Sequence, residues 1–297
     1  MLNQLLKTLR YSDMTRPKLS ISSLKTLQSC EAKYFFYKVA NTPKDSDYEE
    51  SESLGFGKAF HQVLELTKHT SWSQELLVKA CADHNVDLEQ RMLLSFMLKK
   101  YVDYHLLSGI EVVKCELPIE TSMTILYIDA IGISKDATGK PYGWWIIDLK
   151  TAGRHDENLL PQLSRDLQMN HYASFADDIS IAVPEIEGLP FLGCRYRQAI
   201  KSKAGTAAGL EKGVKIIDIE IPASVLNVEE FKSLFSHVYD RALELHAGEA
   251  PRKNFSACFN YFSPCQYFSQ CHGELFSKAN NRVRVHTLES VQSSDLL

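Results

Sequence analysis

The feature that most constrains the fold is a change in hydrophobic period near residue 111. Before it, apolar residues recur at helical spacing; after it, they follow a strand pattern in three segments, at about 111–120, 123–134 and 143–149. The turn signal TGKPYG stands before the third segment, which continues as the bulky apolar run WWII. The sequence therefore predicts a meander of three strands.

Helices are predicted on both sides of this meander. Serines suited to N-capping start a first helix near Ser22, Gly55 and Gly57 open a second, and an acidic loop at 41–53 separates them. Further helix is expected at 72–108, after Pro161 and at about 228–247, and further strands at 189–199 and 214–221. This order predicts an α/β fold with a central mixed sheet flanked by helices.

Composition and charge limit the classes of function. The 297-residue chain is 44% hydrophobic and 24% charged, as in ordinary globular proteins, and no linker or repeat divides it. We predict one integrated domain with a helical region at 1–110, a core at 111–250 and a cysteine-containing tail at 251–297. The net charge of −4 disfavours nucleic-acid binding through bulk charge, so any DNA contact must be local.

The chain carries no sign of membrane insertion. No apolar run approaches the roughly 20 residues of a membrane helix, and the start, MLNQLLKTLR, lacks the features of a secretory signal. We expect a cytoplasmic protein without a membrane partner. A mitochondrial presequence stays open as an alternative, because this start carries Lys7 and Arg10 and no acid.

The end of the third strand carries the first candidate site. Strand side chains alternate, so Asp148 and Lys150 share one face while Leu149 points to the other. A carboxylate that binds a hard divalent cation, together with an ammonium, suits phosphodiester hydrolysis. The pattern is weak alone, because acid-x-Lys occurs three times in the chain, and a solvated ion pair is the competing interpretation.

Asp129 strengthens this interpretation. It lies within the apolar segment LYIDAIGIS, where an unpaired carboxylate is costly to bury, so it needs a cation, a hydrogen-bond network or a metal. Antiparallel pairing of the second and third strands would bring Asp129 beside Asp148. A buried ion pair is the alternative, and Glu116 on the preceding strand is either a supporting acid or a purely structural residue.

Two helical motifs flank these strands. His61, beside Phe60 and Val63, is by itself typical of a packing histidine. Gln168 and Tyr172 lie four residues apart and so share a helix face, where they could contact DNA phosphates or orient the active-site lysine. On its own this pair is also typical of an ordinary half-exposed helix.

Together these residues resemble the RecB-like branch of the PD-(D/E)xK nucleases, a group that includes AddB nuclease domains, the CRISPR-adaptation nuclease and many phage exonucleases. The similarity runs over almost the whole chain, through SISSLKTLQSC, GFGKAFHQVLE, Asp129, IIDLKTA, the Gln168–Tyr172 helix and the terminal cysteines. It implies a restriction-endonuclease-like core with an N-terminal helical extension. It also implies that His61, Asp129, Asp148 and the Leu149 carbonyl bind Mg²⁺ or Mn²⁺, and that Lys150 is catalytic.

Four of the seven cysteines form a further pattern. Cys258, Cys265 and Cys271 lie close together near the C-terminus, and Cys30 lies on the first helix, which gives the four soft ligands that an iron-sulfur cluster requires. The resemblance implies a 4Fe-4S cluster that clasps the two ends of the chain. Zinc and unliganded thiols are the alternatives, and His272 is a substitute ligand. Cys81, Cys115 and Cys194 are expected to be small buried residues.

One local basic patch is a candidate DNA surface. Arg195, Arg197, Lys201 and Lys203 follow an apolar strand and could track a phosphate backbone, although a solvated strand end explains them equally well. Arg154 and His155, just past Lys150, are alternative contacts.

The sequence thus predicts a metal-dependent DNA nuclease. By resemblance, it is an exonuclease on single strands or duplex ends in recombination, repair or phage replication, with recombination or replication proteins as partners. The first alternative is a degenerate iron-sulfur module that binds DNA or a protein without cutting. A redox sensor with an incidental nuclease site is a second.

Overall fold

A computed structural model describes residues 16–45, 52–156, 158–204, 206–260 and 263–272. The chain forms a five-stranded mixed sheet with the strands in sequence order. The strands are β1 (Ile110–Glu120), β2 (Ile125–Lys135), β3 (Pro141–Ala152), β4 (Phe191–Ile200) and β5 (Lys215–Pro222). The pairs β1–β2, β2–β3 and β4–β5 are antiparallel, and β3–β4 is parallel.

Helices surround this sheet. They are α1 (Ile21–Ser29), α2 (Glu31–Tyr34, which continues as a π-helical turn at Phe35–Val39), α3 (Glu52–Leu66), α4 (Gln74–Asp83), α5 (Leu88–Leu107), α6 (Leu159–Leu163), α7 (Leu167–Ser174), α8 (Ala176–Ala182), α9 (Ala207–Gly213), α10 (Val228–His246) and α11 (Phe268–His272). Side-chain caps start several of them, with Ser20 before α1, Asp87 before α5 and Asp166 before α7. A two-stranded ribbon, β6 (Phe259–Asn260) and β7 (Ser263–Pro264), lies near the C-terminus.

Each face of the sheet is covered by a helical layer. On one face, residues of β2 and β3 such as Ile128 and Ile146 pack with Met169 and Tyr172 of α7 and with α8. On the other face, Leu149 packs with residues of α3, α4 and α5. Because both faces of the central strands are covered, β3 is an almost continuous buried run rather than an alternating one. The predicted α/β core with a mixed sheet and flanking helices is confirmed.

The N-terminal helices pack against the C-terminal part of the chain. Leu24 and Leu27 of α1 lie in one apolar cluster with Phe231 and Phe235 of α10. A second, smaller cluster joins Phe35 and Phe36 to Tyr267. The two ends of the described chain therefore meet on one side of the sheet.

Three boundaries differ from the sequence prediction. The helix expected to open at Gly55 begins at Glu52, so the expected loop at 41–53 ends earlier, and residues 46–51 of it lie outside the described residues. The helical region at 72–108 is two helices, because the chain turns between Asp83 and Leu88. The start of the chain, on which the presequence alternative rests, also lies outside the described residues. Within the described ranges, no helix is both long and apolar enough to cross a membrane.

Candidate active site

The central strands bring the two aspartates together. The register pairs Ala130 with Ile147, so Asp129 on β2 stands beside Asp148 on β3. The amide of Leu149 donates a hydrogen bond of 2.7 Å to Asp129 Oδ2. Lys150 Nζ lies 2.8 Å from Asp148 Oδ1 and 3.9 Å from Asp129 Oδ2. The ammonium is therefore held between two carboxylates from neighbouring strands.

His61 enters this group from helix α3. Its Nδ1 lies 3.9 Å from Asp129 Oδ2 and 3.8 Å from Glu116 Oε1 of β1. His61, Glu116 and Asp129 offer donor atoms that all lie within 4.8 Å of one another, which makes them a candidate metal-binding group. The sequence interpretation had placed Glu116 outside the ligand set.

The backbone of Glu116 is unusual for a strand. Its φ is +44°, in the left-handed region that non-glycine residues seldom adopt and that costs about 1–3 kcal/mol. The neighbours Cys115 and Leu117 nevertheless keep the same register against β2, so Glu116 stays opposite Asp129. No residue pattern in the sequence signals this conformation, which explains why sequence reasoning underrated Glu116.

Asp148 is fully buried and heavily engaged through one of its oxygens. Its Oδ1 accepts hydrogen bonds from Lys150 Nζ and, at 2.7 Å, from Gln168 Nε2. Its Oδ2 has no hydrogen-bond partner among the described residues. A buried carboxylate oxygen without a partner is costly, and a bound cation would satisfy it.

Helix α7 supports this aspartate through a short hydrogen-bond chain. Gln168 Nε2 also donates to the Tyr172 hydroxyl, which in turn donates to the carbonyl of Tyr127 on β2, both at 2.7 Å. The predicted pair thus lies on one face of a helix and reaches the Asp148–Lys150 pair. Gln168 contacts Asp148 rather than Lys150 itself.

The electrostatics of the group reflect an excess of negative charge. Burial raises the pKa of the Asp148 carboxyl, the Lys150 ammonium lowers it and Asp129 raises it again, with a net upward shift. Burial alone would lower the pKa of His61, but its contact with Glu116 and the charge of Asp129 outweigh burial and raise it. The shift at His61, which runs against burial, indicates that the Lys150 ammonium does not neutralise all the carboxylates around it.

These side chains open into a cleft of about 720 Å³, here called the catalytic cleft. Helix α3, the middle of β1 and β2 and the end of β3 line it, and the lining residues include Lys58, His61, Glu65, His84, Glu116, Asp129 and Lys150. The backbone of α3 passes close to the end of α4: a Cβ on Gly55 would lie 2.6 Å from the carbonyl oxygen of His84. Glycine is therefore required for this approach.

Comparison with known families agrees with this geometry. The family model of the PD-(D/E)XK nuclease superfamily matches residues 18–272, which is most of the chain. The chain belongs to the PD-(D/E)XK nuclease superfamily. It is accordingly a nuclease of a class that uses divalent metal ions, and the match covers every described element from α1 to α11. No curated protein matches the chain.

The four cysteines expected to form a clasp are also brought together. Cys30 lies at the junction of α1 and α2, and it lines one pocket with Cys258, Cys265 and Cys271. Burial raises the pKa of Cys258, and the neighbouring Cys265 and Cys30 raise it further. His272 Nε2 lies 3.3 Å from Cys258 Sγ. We call Cys30, Cys258, Cys265 and Cys271 the cysteine clasp.

A polar clamp next to the cysteine clasp joins the start of α2 to α10 and to the segment that follows α10. Glu31 accepts hydrogen bonds from Arg241 Nη2 at 2.7 Å and from the Arg252 amide and Nε at 2.8 and 2.9 Å. The Ala32 amide donates to the Arg252 carbonyl, and Asn254 Nδ2 donates to the Ser29 carbonyl. Cys30 and Cys258 therefore lie on segments that are fixed to each other by protein contacts.

The predicted basic patch is wrong for its two arginines. Arg197 is 0% exposed and its Nε donates to Asp218 Oδ2 at 2.8 Å, while the largely buried Arg195 pairs with Glu220. The register of β4 against β5 places Arg195 opposite Glu220 and Arg197 opposite Asp218. These two arginines neutralise the carboxylates of Asp218 and Glu220 on the neighbouring strand β5, so they are not available to bind DNA phosphates.

The remaining members of the predicted surfaces are more accessible. Lys203 is exposed, whereas Lys201 is half-buried with its ammonium 4.0 Å from the centre of the Phe56 ring. Arg154 is exposed, and His155 Nδ1 lies 3.2 Å from Gln198 Oε1. Among the other cysteines, Cys81 and Cys194 are buried as predicted, and Cys115 is partly buried.

Proposed function

We propose that this chain is a metal-dependent deoxyribonuclease with its active site in the catalytic cleft. The observation that carries the proposal is that His61, Asp129 and Lys150 line a single cleft, while the buried Asp148 lies 2.8 Å from the Lys150 ammonium. Membership of the nuclease superfamily supports the same chemistry. The proposed reaction is hydrolysis: water attacks phosphorus, and one P–O bond of the phosphodiester breaks.

The residues present fit a divalent cation. The orphaned Oδ2 of buried Asp148 and the negative surroundings of His61 both favour a positive ion. His61, Asp129, Asp148 and the Leu149 carbonyl are the proposed ligands of Mg²⁺ or Mn²⁺, and the imidazole nitrogen suits Mn²⁺. The bound metal would polarise the phosphate and lower the pKa of the attacking water.

Lys150 is the proposed catalytic residue. Burial would lower the pKa of its ammonium, but the charges of Asp148 and Asp129 raise it, so the group stays charged at neutral pH. A fixed positive charge at this place stabilises the negative charge that develops on the phosphate oxygens. Gln168 and Tyr172 hold the opposing Asp148 in place, which makes them positioning residues.

DNA would reach this site through local contacts. Lys58 and His84 line the cleft together with His61, Asp129 and Lys150. Arg154, just after β3, and Lys203, just after β4, are exposed. Contacts of this kind bind the phosphate backbone without reading base sequence. The resemblance to RecB-like nucleases supports an exonuclease that acts on single strands or duplex ends in recombination, repair or phage replication.

The cysteine clasp fits a multinuclear cluster better than zinc. The three C-terminal cysteines are separated by six and five residues, whereas structural zinc sites typically use pairs of Cys-x2–4-Cys ligands. Four thiolates that line one pocket suit a 4Fe-4S cluster, which would join the segment at Cys30 to the segment at Cys258–Cys271.

A gel assay tests the proposed function. Protein purified without oxygen is incubated with end-labelled single-stranded and duplex DNA, with Mg²⁺, Mn²⁺ or EDTA. We expect cleavage with either metal and none with EDTA, and a ladder that shortens from one end. The proposal fails if every DNA substrate stays intact with metal present, or if cleavage is unaffected by EDTA.

A further inference from the structure

The metal-binding group in the catalytic cleft contains a third donor that the proposed ligand set leaves out. Glu116 Oε1 lies 3.8 Å from His61 Nδ1, at a distance too long for a hydrogen bond. Asp129 Oδ2 lies 3.9 Å from the same nitrogen. Neighbouring ligands around a Mg²⁺-sized ion are about 3 Å apart, and the three donor atoms all lie within 4.8 Å of one another, so small side-chain movements would let one ion contact all three.

We propose that Glu116 is a direct ligand of the divalent cation, alongside His61 and Asp129. This inference rests on the proposed function and adds a ligand from β1, the edge strand of the sheet. It means that three strands and one helix hold the ion, instead of two strands and one helix.

One observation outside this group of three donors points to a cation at this place, and the strand register keeps Glu116 beside it. The fully buried Asp148, adjacent to Asp129 across the β2–β3 ladder, keeps an oxygen without a hydrogen-bond partner among the described residues. In addition, Glu116 keeps a left-handed backbone and still stays in register opposite Asp129. Its side chain is 37% exposed, so it can reach an ion that also contacts solvent.

The competing role for Glu116 is a simple ion pair with a protonated His61. The two roles predict opposite effects on metal binding. If Glu116 only stabilised the imidazolium, then its removal would favour the neutral imidazole and leave Mn²⁺ binding unchanged or stronger. If Glu116 is a ligand, its removal weakens binding.

Glu65 provides a matched control. It lies one turn after His61 on α3 and lines the same cleft, and burial followed by the charge of Glu116 raises its pKa. It does not belong to the group of mutually close donors. Glu65→Gln therefore removes one negative charge from the cleft without removing a proposed ligand.

The experiment is calorimetric titration of the full-length protein, purified anaerobically, with MnCl₂. We expect Glu116→Gln to weaken Mn²⁺ binding at least about tenfold, and Glu65→Gln to weaken it less than about threefold. Glu116→Asn is the second variant, because asparagine tolerates the left-handed backbone; it should keep the melting temperature and still weaken binding.

The possible results distinguish a failure of the proposed metal-dependent function from a failure of the ligand role of Glu116. If wild-type protein does not bind Mn²⁺, the proposed function itself fails. If wild-type protein binds Mn²⁺ and Glu116→Gln binds it as tightly or more tightly, only the role of Glu116 is overturned. Equal weakening by Glu65→Gln and Glu116→Gln also overturns it, because general charge in the cleft would then be the cause.

Discussion

The catalytic cleft and the cysteine clasp are two candidate metal centres in one chain, and they are held together differently. In the cleft, the candidate ligands lie on neighbouring strands and one helix, and the strand register fixes Asp129 beside Asp148. In the clasp, Cys30 lies more than 220 positions before Cys258, and protein contacts through Glu31 join the two segments. The sheet thus preorganises the first centre, while the second depends on contacts between chain ends.

This difference predicts separable effects of mutation. A change in the cleft should remove cleavage with little effect on folding, because the sheet core persists. A change in the clasp should remove the proposed cluster and loosen the contact between the segments that carry Cys30 and Cys258, but it should leave metal binding in the cleft nearly intact.

The largest expected effect is from Asp129→Asn. Asparagine can still accept the hydrogen bond from the Leu149 amide, but it lacks the charge that holds the cation and faces Lys150. We expect the cleavage rate with Mn²⁺ to fall at least about a thousandfold. Single-turnover kinetics on end-labelled DNA measures the loss. The iron content and the melting temperature serve as controls, and a parallel loss of either would contradict the separation of the two centres.

The next effect is from Cys258→Ser in the clasp. Loss of one thiolate should remove the visible absorbance of the proposed iron-sulfur cluster. It should also lower the melting temperature by about 5 °C or more, because metal binding contributes to folding. Calorimetric titration should find the Mn²⁺ affinity of the cleft within about threefold of wild type. Cys81→Ser, at a buried cysteine outside the clasp, is the control for general thiol loss, and it should keep the iron. An unchanged iron content in Cys258→Ser would rule out its role as a ligand.

Gln168→Ala should give an intermediate effect on the cleft alone. The change removes donors to Asp148 and to the Tyr172 hydroxyl while the metal ligands stay in place. We expect kcat to fall about 10- to 100-fold with a smaller change in KM, as for other groups that orient ligands. Gln162→Ala, at an exposed position just before the same helix, should act like wild type. Equal activity of the two variants would show that the hydrogen-bond chain does not matter for catalysis.

The smallest effect is expected from Glu31→Gln beside the clasp. The variant keeps all four thiols but weakens the hydrogen bonds to Arg241 and Arg252, which should cost about 1–2 kcal/mol of unfolding free energy. Iron should also be lost faster to a chelator. Glu229→Gln breaks an exposed pair with Lys232 and should change neither property measurably. If Glu31→Gln retains iron as well as Glu229→Gln does, the clamp does not hold the clasp.

Local patterns in the sequence are sufficient to predict the strands and to place Asp129, Asp148 and Lys150 together in the candidate site. The alternation and β-branched residues of LYIDAIGIS and WWII predict adjacent strands, and adjacency in sequence then brings Asp129 to Asp148. Side-chain alternation likewise predicts that Lys150 lies on the same face as Asp148.

Features that depend on pairing between distant segments were not predictable in this way. From the sequence alone, Arg197 is expected to be a surface cation. In the structure, strand pairing places Asp218 of β5, about twenty residues later in the chain, opposite it. Glu116 on β1 has a left-handed backbone and lies beside His61 from helix α3, and neither feature leaves a local signature in the sequence. In both cases the deciding contact comes from tertiary structure.

The most direct test of the catalytic assignment is the DNA cleavage rate of Lys150→Ala against wild type, measured with Mn²⁺ on end-labelled single-stranded DNA. The ammonium lies 2.8 Å from the buried Asp148 and 3.9 Å from Asp129, so its loss also costs some stability, and the melting temperature of the variant is measured beside its cleavage rate. We expect wild type to cut with Mn²⁺ and Lys150→Ala to be slower by at least about a thousandfold. Cleavage by Lys150→Ala at the wild-type rate would contradict the catalytic assignment.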